Sequence, residues 1–151
     1  MKRKFLGYQI ISGETLAIAR KSIERLKDKI RKITRRNRGV SLEQVIREIN
    51  IILPGWIRYF KLAKAETTVQ RIDAWIRRKL RCYRLKQFKR AITIATNLID
   101  MGISRRSAWK VANSGKGWWR LSHTPQLDKA MSVAWFEDQG LCNLEKMYKS
   151  L

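Results

Sequence analysis

Two stretches of the sequence carry arginine and lysine at a density suited to binding phosphate. Ten of the nineteen residues in 20–38 are basic, and so are nine of the twenty in 71–90. Guanidinium groups on a rigid helix contact phosphate oxygens through paired hydrogen bonds. Only Glu24, Asp28 and Asp73 lie within these stretches as acidic partners. The sequence therefore predicts that most of this charge meets a polyanion.

The charge of the whole chain supports the same conclusion. Its 151 residues include 34 Lys and Arg against 12 Asp and Glu, a net charge of +22. A net charge of about 2–8 already keeps a small domain soluble, and a larger excess opposes the compact state by self-repulsion. Residues 1–90 carry +19 and residues 91–151 carry +3. This asymmetry predicts a dedicated basic face on the first part of the chain.

Aromatic residues in a basic loop favour RNA over DNA. Trp118 and Trp119 lie beside Lys116 and Arg120 in a glycine-containing segment, where they could stack on unpaired bases. Two adjacent side chains cannot both point into one core, so core packing and base stacking stay equally open for this pair. The tryptophans expected in the core are Trp56, Trp75, Trp109 and Trp135.

Helical spacing narrows the choice of contact residues. Arg77, Arg81 and Arg84 follow steps of four and three residues, so they are expected on one helix face away from the apolar stripe. The predicted RNA-binding residues are Arg31, Arg35, Arg36, Arg38, Arg58, Arg77, Arg78, Arg81, Arg84, Lys86, Lys89, Arg90, Lys116, Trp118 and Arg120.

Residues for catalysis or metal binding are sparse. His123 is the single histidine, and Cys82 and Cys142 are sixty residues apart. The acidic residues do not cluster as the carboxylates of a two-metal nuclease or polymerase would. Catalytic residues, a metal site and a cofactor are therefore not expected. The longest apolar run, at 51–57, is far shorter than the ~20 residues that span a membrane, so a cytoplasmic protein without membrane contact is expected.

Hydrophobic periodicity predicts a mainly α fold. A short N-terminal β-hairpin is expected over 5–18, turning at Ser12-Gly13-Glu14. Apolar residues at three- and four-residue spacing predict helices at about 20–35, 42–62 and 67–85. Capping boxes are expected at Ser41–Gln44 and Thr67–Gln70. With short connections, these helices form a three-helix antiparallel bundle.

A smaller C-terminal helical module should follow the bundle. One helix is predicted from about residue 90 to Gly102, and Ser104 should cap the next. Thr124-Pro125 provides a cap followed by proline at the first helical position. The helix that begins there is expected to run as far as Gly140.

Five segments in this order resemble the C-terminal part of bacterial group II intron reverse transcriptase/maturases. They are FLGY at 5–8, VSLEQVIREIN at 40–50, GWIRYF at 55–60, IDAWIRRKLR at 72–81 and KQFKR at 86–90. The resemblance covers nearly the whole chain. Together the ordered segments are specific, although each alone is not.

The resemblance implies a domain organisation and a function. It makes 1–18 a residual palm-like hairpin, 19–88 a thumb-like bundle and 89–151 the maturase-specific module, called domain X. Such a protein would bind group II intron RNA and support splicing, with template–primer duplex as a further expected partner. The fingers, the palm aspartates and the HNH endonuclease of the family have no counterpart here, so no enzymatic activity is expected of the chain by itself.

Three other readings stay open from the sequence. The chain could complete a split RNA-directed DNA polymerase with a separate fingers–palm polypeptide. It could be a basic helical module that binds DNA, in which case duplex DNA would bind as well as intron RNA. A helical protein on a membrane surface is the most distant reading, because the charge lies on packed helices.

Overall fold

The chain is mainly helical, as the sequence predicts. A computed structural model describes residues 3–13 and 15–151, and at residues 3–5 and 12 it describes the backbone alone. Glu14, part of the predicted turn, lies outside the described residues. The elements are β1 (Arg3–Phe5), β2 (Tyr8–Ser12), β3 (Thr15–Ile18), α1 (Arg20–Ile33), α2 (Leu42–Tyr59), α3 (Glu66–Phe88), α4 (Ala91–Asp100), α5 (Arg105–Ala112), α6 (Trp118–Leu121), α7 (Pro125–Ala130), α8 (Val133–Asp138) and α9 (Leu144–Lys149).

The N-terminal strands form an antiparallel sheet in the order β1-β2-β3. The hairpin of β2 and β3 confirms the prediction, but the first predicted strand is divided in two by a turn at Leu6 and Gly7. Both residues have positive φ, 49° and 84°, as a two-residue hairpin turn requires. A Cβ on Gly7 would lie 2.9 Å from Ser22 Oγ, so the close approach of α1 also requires glycine here.

The three long helices form an antiparallel bundle. Tyr83, near the end of α3, donates a hydrogen bond of 2.5 Å to the carbonyl oxygen of Val40, just before α2. Arg31 of α1 lies over Trp75 of α3, with 5.4 Å between the guanidinium carbon and the ring centre. These contacts place α2 antiparallel to α3 and bring α1 alongside α3. Buried side chains from all three helices, among them Leu26, Ile49 and Ile76, form the core.

The capping box predicted at Ser41–Gln44 is confirmed for its Ser41 bond, while the Gln44 side chain accepts from Arg47 instead. The box predicted at Thr67–Gln70 is wrong. Ser41 Oγ accepts a hydrogen bond of 3.1 Å from the Gln44 amide at the start of α2. Helix α3, however, begins at Glu66 with Ala65 as its N-cap and no side-chain cap. The Ala65 amide instead donates to the Tyr148 hydroxyl at 3.1 Å. A residue of α9 thus satisfies the backbone amide of the N-cap residue, and Thr67 lies within the first turn of α3 instead of capping it.

The C-terminal helices fold back onto the bundle and share its core. Ser104 and Thr124 cap α5 and α7 as predicted. The last predicted helix is broken, because Ser132 starts α8 by accepting from the Trp135 amide at 3.2 Å. Leu127, Phe136 and Leu144 belong to the same apolar cluster as the bundle residues. The domain boundaries at 18/19 and 88/89 stay a prediction, since the apolar core is continuous across the second.

Polar contacts hold the returning segment in place. Asn50 of α2 donates to the Gly140 carbonyl oxygen at 2.7 Å and accepts from the Cys142 amide at 2.9 Å. The buried carboxylate of Asp73 accepts from the Leu144 amide at 3.3 Å. These bonds satisfy backbone groups that precede or begin α9, so the docking of α9 depends on them.

Within the described part of the chain, no helix has the length and apolar character needed to cross a lipid bilayer.

Replacing Asn50 with alanine should lower the free energy of unfolding by about 1–3 kcal/mol, since two hydrogen bonds of about 0.5–1.5 kcal/mol each are lost. Urea unfolding followed by circular dichroism measures the effect. Asn113→Ala is the matched control, because Asn113 is exposed and its side chain makes no hydrogen bond among the described residues. Equal stability of the two variants would contradict the role given to Asn50.

Candidate nucleic-acid interface

An open groove of about 1140 Å³ lies where the end of α1, the loop after it, α3 and the start of α6 meet. We call it the basic groove. Among its lining residues, the only carboxylate is Asp28, and it is bonded to Arg31 at 2.8 Å. The potential in the groove is therefore strongly positive. The cationic side chains that line it are Arg31, Lys32, Arg35, Arg36, Lys79 and Lys86.

Arg35 and Arg36 stand on a loop that the fold holds firmly. Helix α1 ends at Thr34, whose hydroxyl donates to the Ile30 carbonyl oxygen at 2.8 Å. At the other end of the loop, the Val40 carbonyl oxygen accepts from Tyr83 and from Gln87. Both arginines are exposed and make no ion pair within the described residues. They are therefore available to an anion, and binding would need to order their side chains but not the loop backbone.

Arg38, a predicted RNA contact, is bonded within the fold. Its guanidinium donates to both carboxylate oxygens of Glu48, at 2.9 and 3.0 Å, and to the Ile33 carbonyl oxygen at 2.7 Å. The hydrogen bond to Glu48 raises the pKa of Arg38 and lowers that of Glu48. Arg38 thus ties the loop to α2 and so positions Arg35 and Arg36.

On the α3 side of the groove, two tryptophan rings lie close to the Lys79 ammonium. The Lys79 ammonium lies 5.9 Å from the centre of the Trp75 ring and 5.5 Å from that of Trp119. Such contacts attract a cation to the ring electrons. Burial lowers the pKa of Lys79, and the neighbouring charges of Arg31 and Arg36 lower it further. An anion bound in the groove would relieve this repulsion.

The tryptophan pair takes two different positions. Trp118 is half-buried and packs against the core, whereas Trp119 is 40 % exposed. Both line the basic groove. Trp119 is therefore the more exposed of the two. The predicted RNA-binding residues included Trp118 and did not include Trp119. Lys116 and Arg120 are exposed but lie outside the groove lining.

The prediction of an exposed arginine face on α3 is wrong for Arg81. This side chain is 7 % exposed. Its Nε donates to the Met131 carbonyl oxygen at 2.9 Å, and its Nη1 lies 3.1 Å from the Asp128 carboxylate. Helix α7 and the residues after it cover this part of α3, so Arg81 cannot reach a phosphate outside. Arg77 is also paired, with Asp73 at 3.0 Å.

The remaining predicted contacts are dispersed. Lys89 lines a hollow of about 440 Å³ that adjoins the basic groove and shares Arg36 and Lys86 with it. Arg84 donates to the Gln87 side chain at 3.2 Å and lies over Phe88. Arg58 and Arg90 are exposed, and neither is part of the groove lining. Of the fifteen predicted residues, those that line the groove are Arg31, Arg35, Arg36, Lys86 and Trp118.

Sequence reasoning missed Lys32 and Lys79, and it named Trp119 only as one of two residues that could stack on bases. Lys79 could have been found from its helical phase, because Lys79, Tyr83 and Lys86 follow steps of four and three residues and line one side of the groove. No local signal distinguishes Lys32 from its neighbours in α1, because it enters the groove only through the packing of α1 against α3.

The described residues include no group of three or more His, Cys, Asp or Glu side chains that could hold a metal ion. Cys82 and Cys142 are free thiols. Cys82 lines the basic groove, and burial raises its pKa.

Comparison with protein families shows the family to which the chain belongs. The family model described as group II intron, maturase-specific domain matches residues 23–98, about half of the chain. The chain belongs to this family. The maturase-specific domain is non-catalytic, and membership implies a maturase-type function in group II introns. Among curated proteins, no match is found.

The matched segment of the maturase-specific domain contains most of α1, all of α2 and α3 and most of α4, together with all six groove cations. Most of that segment lies in 19–88, where the resemblance placed the thumb, rather than in 89–151. The division between thumb-like and maturase-specific parts accordingly stays a prediction. Trp118 and Trp119, which complete the groove, follow the matched segment.

Replacing Arg81 with glutamate should lower the free energy of unfolding by more than about 3 kcal/mol, because it buries an unpaired carboxylate beside Asp128. Arg35→Glu, at an exposed site, should change it by less than about 0.5 kcal/mol. Thermal unfolding followed by circular dichroism compares the two. Similar melting temperatures would show that Arg81 is not the structural arginine described above.

The pair of Arg38 and Glu48 should make stability depend on pH. The pKa of Glu48 is lowered in the folded protein, so the pair stabilises fully above the ordinary value of 4.5 and loses this effect as pH falls through the lowered pKa. Glu48→Gln should therefore destabilise at neutral pH and less at an acidic pH well below 4.5, where the Glu48 carboxylate becomes protonated. Urea unfolding at both pH values measures this. In an Arg38→Gln background, the effect of Glu48→Gln on stability should no longer depend on pH. If Glu48→Gln in the wild-type background destabilises equally at both pH values, the role given to this ion pair is wrong.

Proposed function

We propose that this maturase-specific-domain protein binds group II intron RNA in the cytoplasm, with the basic groove on the RNA backbone, and so supports folding of the intron for splicing. The observation that carries the proposal is the groove itself. Six cationic side chains surround it and a single carboxylate, already paired with Arg31, lies among them.

The chemistry of the groove suits a phosphate backbone better than a small ligand. Its cations come from α1, the following loop and α3, so they meet successive phosphates of a polymer rather than one anion. Each phosphate neutralised by lysine or arginine releases a condensed counterion, which favours binding. A folded intron brings many phosphates close together, and neutralising them stabilises the compact RNA.

Family membership supports RNA as the polymer. The segment that matches the maturase-specific domain contains every cation of the groove. Contacts to phosphates alone would not distinguish RNA from DNA. A binding comparison between intron RNA, unrelated RNA and duplex DNA is therefore part of the test.

The variant Arg35→Glu, Arg36→Glu, Lys86→Glu should bind group II intron RNA about 100- to 500-fold more weakly at about 0.1 M salt, because three phosphate contacts are lost. The slope of log K against log salt concentration should become shallower by about 2–3. Filter binding across a salt series measures both. Wild-type protein should bind intron RNA more tightly than duplex DNA.

A matched control has the same charge change outside the groove. Arg105, Arg106 and Lys110 are exposed on α5 and make no ion pair within the described residues. Arg105→Glu, Arg106→Glu, Lys110→Glu should keep most of the affinity and most of the salt slope. An equal loss in both variants would show that net charge and not the groove governs binding. Wild-type binding of duplex DNA as tight as that of intron RNA would favour the DNA-binding alternative.

A further inference from the structure

Trp119 has the surroundings of a stacking site rather than of a core residue. It is 40 % exposed and lines the basic groove. Trp56, Trp75, Trp118 and Trp135 all pack against the apolar core. Covering this exposed indole surface with another flat, apolar group would be favourable, because it would remove apolar area from water.

Arg78 holds one face of the Trp119 ring in place. Its guanidinium carbon lies over the ring, 3.9 Å from the ring centre, which is a close cation–π contact. The same guanidinium donates to the Trp119 carbonyl oxygen at 2.9 Å through Nη2, and its Nε lies 3.3 Å from Ser122 Oγ. Ser122 is fully buried and donates to the same carbonyl oxygen. The indole is therefore fixed in orientation before any ligand arrives.

Docking of α6 on α3 does not account for all of this geometry. Docking of α6 needs the bonds from Arg78 and Ser122 to the Trp119 carbonyl oxygen. It also needs the contact of Arg78 with one face of the Trp119 ring. The indole surface that stays exposed contributes nothing to that docking. It lies on the same wall as Lys79, whose ammonium is 5.5 Å from the Trp119 ring centre.

We infer that Trp119 is a stacking site for one unpaired nucleobase of the bound RNA, with Arg78 as the positioning residue behind it. This inference rests on the proposed function, since the groove cations bind the phosphates on either side of that base. The ligand is thus an RNA with a bulged or looped-out nucleotide at the groove, not a continuous duplex.

Stacking explains why the ligand must be unpaired. In a duplex, both faces of each base are covered by its neighbours, so only an extruded base can lie against an aromatic ring. Stacking on an aromatic side chain tolerates any base, because every base has a π face. The site would therefore read the position of an unpaired nucleotide and not its sequence.

A mutant cycle with a modified RNA tests the inference. The probes are two RNA hairpins with one bulged nucleotide, identical except that one bulge is abasic and keeps its phosphate. Wild-type protein should bind the intact bulge about 5- to 150-fold more tightly, the range measured for stacking of one base. Trp119→Leu, which keeps an apolar side chain without a ring, should bind both hairpins equally. Trp119→Phe should keep part of the preference.

Two further readouts separate stacking from a structural role. The salt slope should be the same for wild type and Trp119→Leu, because no charge changes. Arg78→Lys keeps the charge but removes the planar guanidinium behind the ring, so it should reduce the preference for the intact base over the abasic one. Thermal unfolding followed by circular dichroism confirms that each variant is folded.

The outcomes distinguish failure of this inference from failure of the proposed function. Equal binding of both hairpins by wild type, or a preference that persists in Trp119→Leu, overturns the stacking site and leaves RNA binding intact. Wild-type protein that binds neither hairpin at about 0.1 M salt overturns both, since neutralised phosphates should give strong binding there.

Discussion

The positive charges around the basic groove repel one another, and the packed helices beneath them hold them together. Arg31, Arg36 and Lys79 come from three different segments, yet each lines the same groove. The core under α1 and α3 fixes this arrangement, because moving the cations apart would expose buried side chains such as Leu26, Ile30 and Ile76. Trp75 reduces the repulsion, since its ring lies under Lys27, Arg31 and Lys79. The surface is therefore prepared for an anion before one binds.

Arginines in this protein perform two different tasks. Arg35 and Arg36 are exposed and unpaired within the described residues, so they are available to a ligand. Arg38 and Arg81 bind carboxylates and backbone carbonyl oxygens of their own chain, and they hold a loop and a helix in place. Guanidinium groups suit both tasks because their fork of donors matches either a phosphate or a carboxylate. Charge density alone therefore overstates the number of residues that can contact RNA.

The C-terminal segment completes the interface that the bundle begins. Bonds from Asn50, Asp73 and Tyr148 dock the last part of the chain on α2 and α3. Helix α7 and Met131 cover Arg81, and Arg78 bonds α6 to α3, so that Trp118 and Trp119 form one end of the groove. Residues beyond the matched family segment thus shape the proposed RNA site, although the cations all lie within it.

The sequence by itself determined what depends on neighbours along the chain. Apolar stripes at helical spacing predicted the three long helices, Ser41 predicted the start of α2, and uneven charge placed the basic surface in the first part of the chain. Only the tertiary structure decided which cations face a ligand. Arg81 is buried because Asp128 and Met131 arrive from about fifty residues away, and the amide of Ala65, the N-cap residue of α3, finds its acceptor in Tyr148 of α9. Local patterns set the phase of a helix, whereas the partner of each polar group depends on segments that meet only in the folded chain.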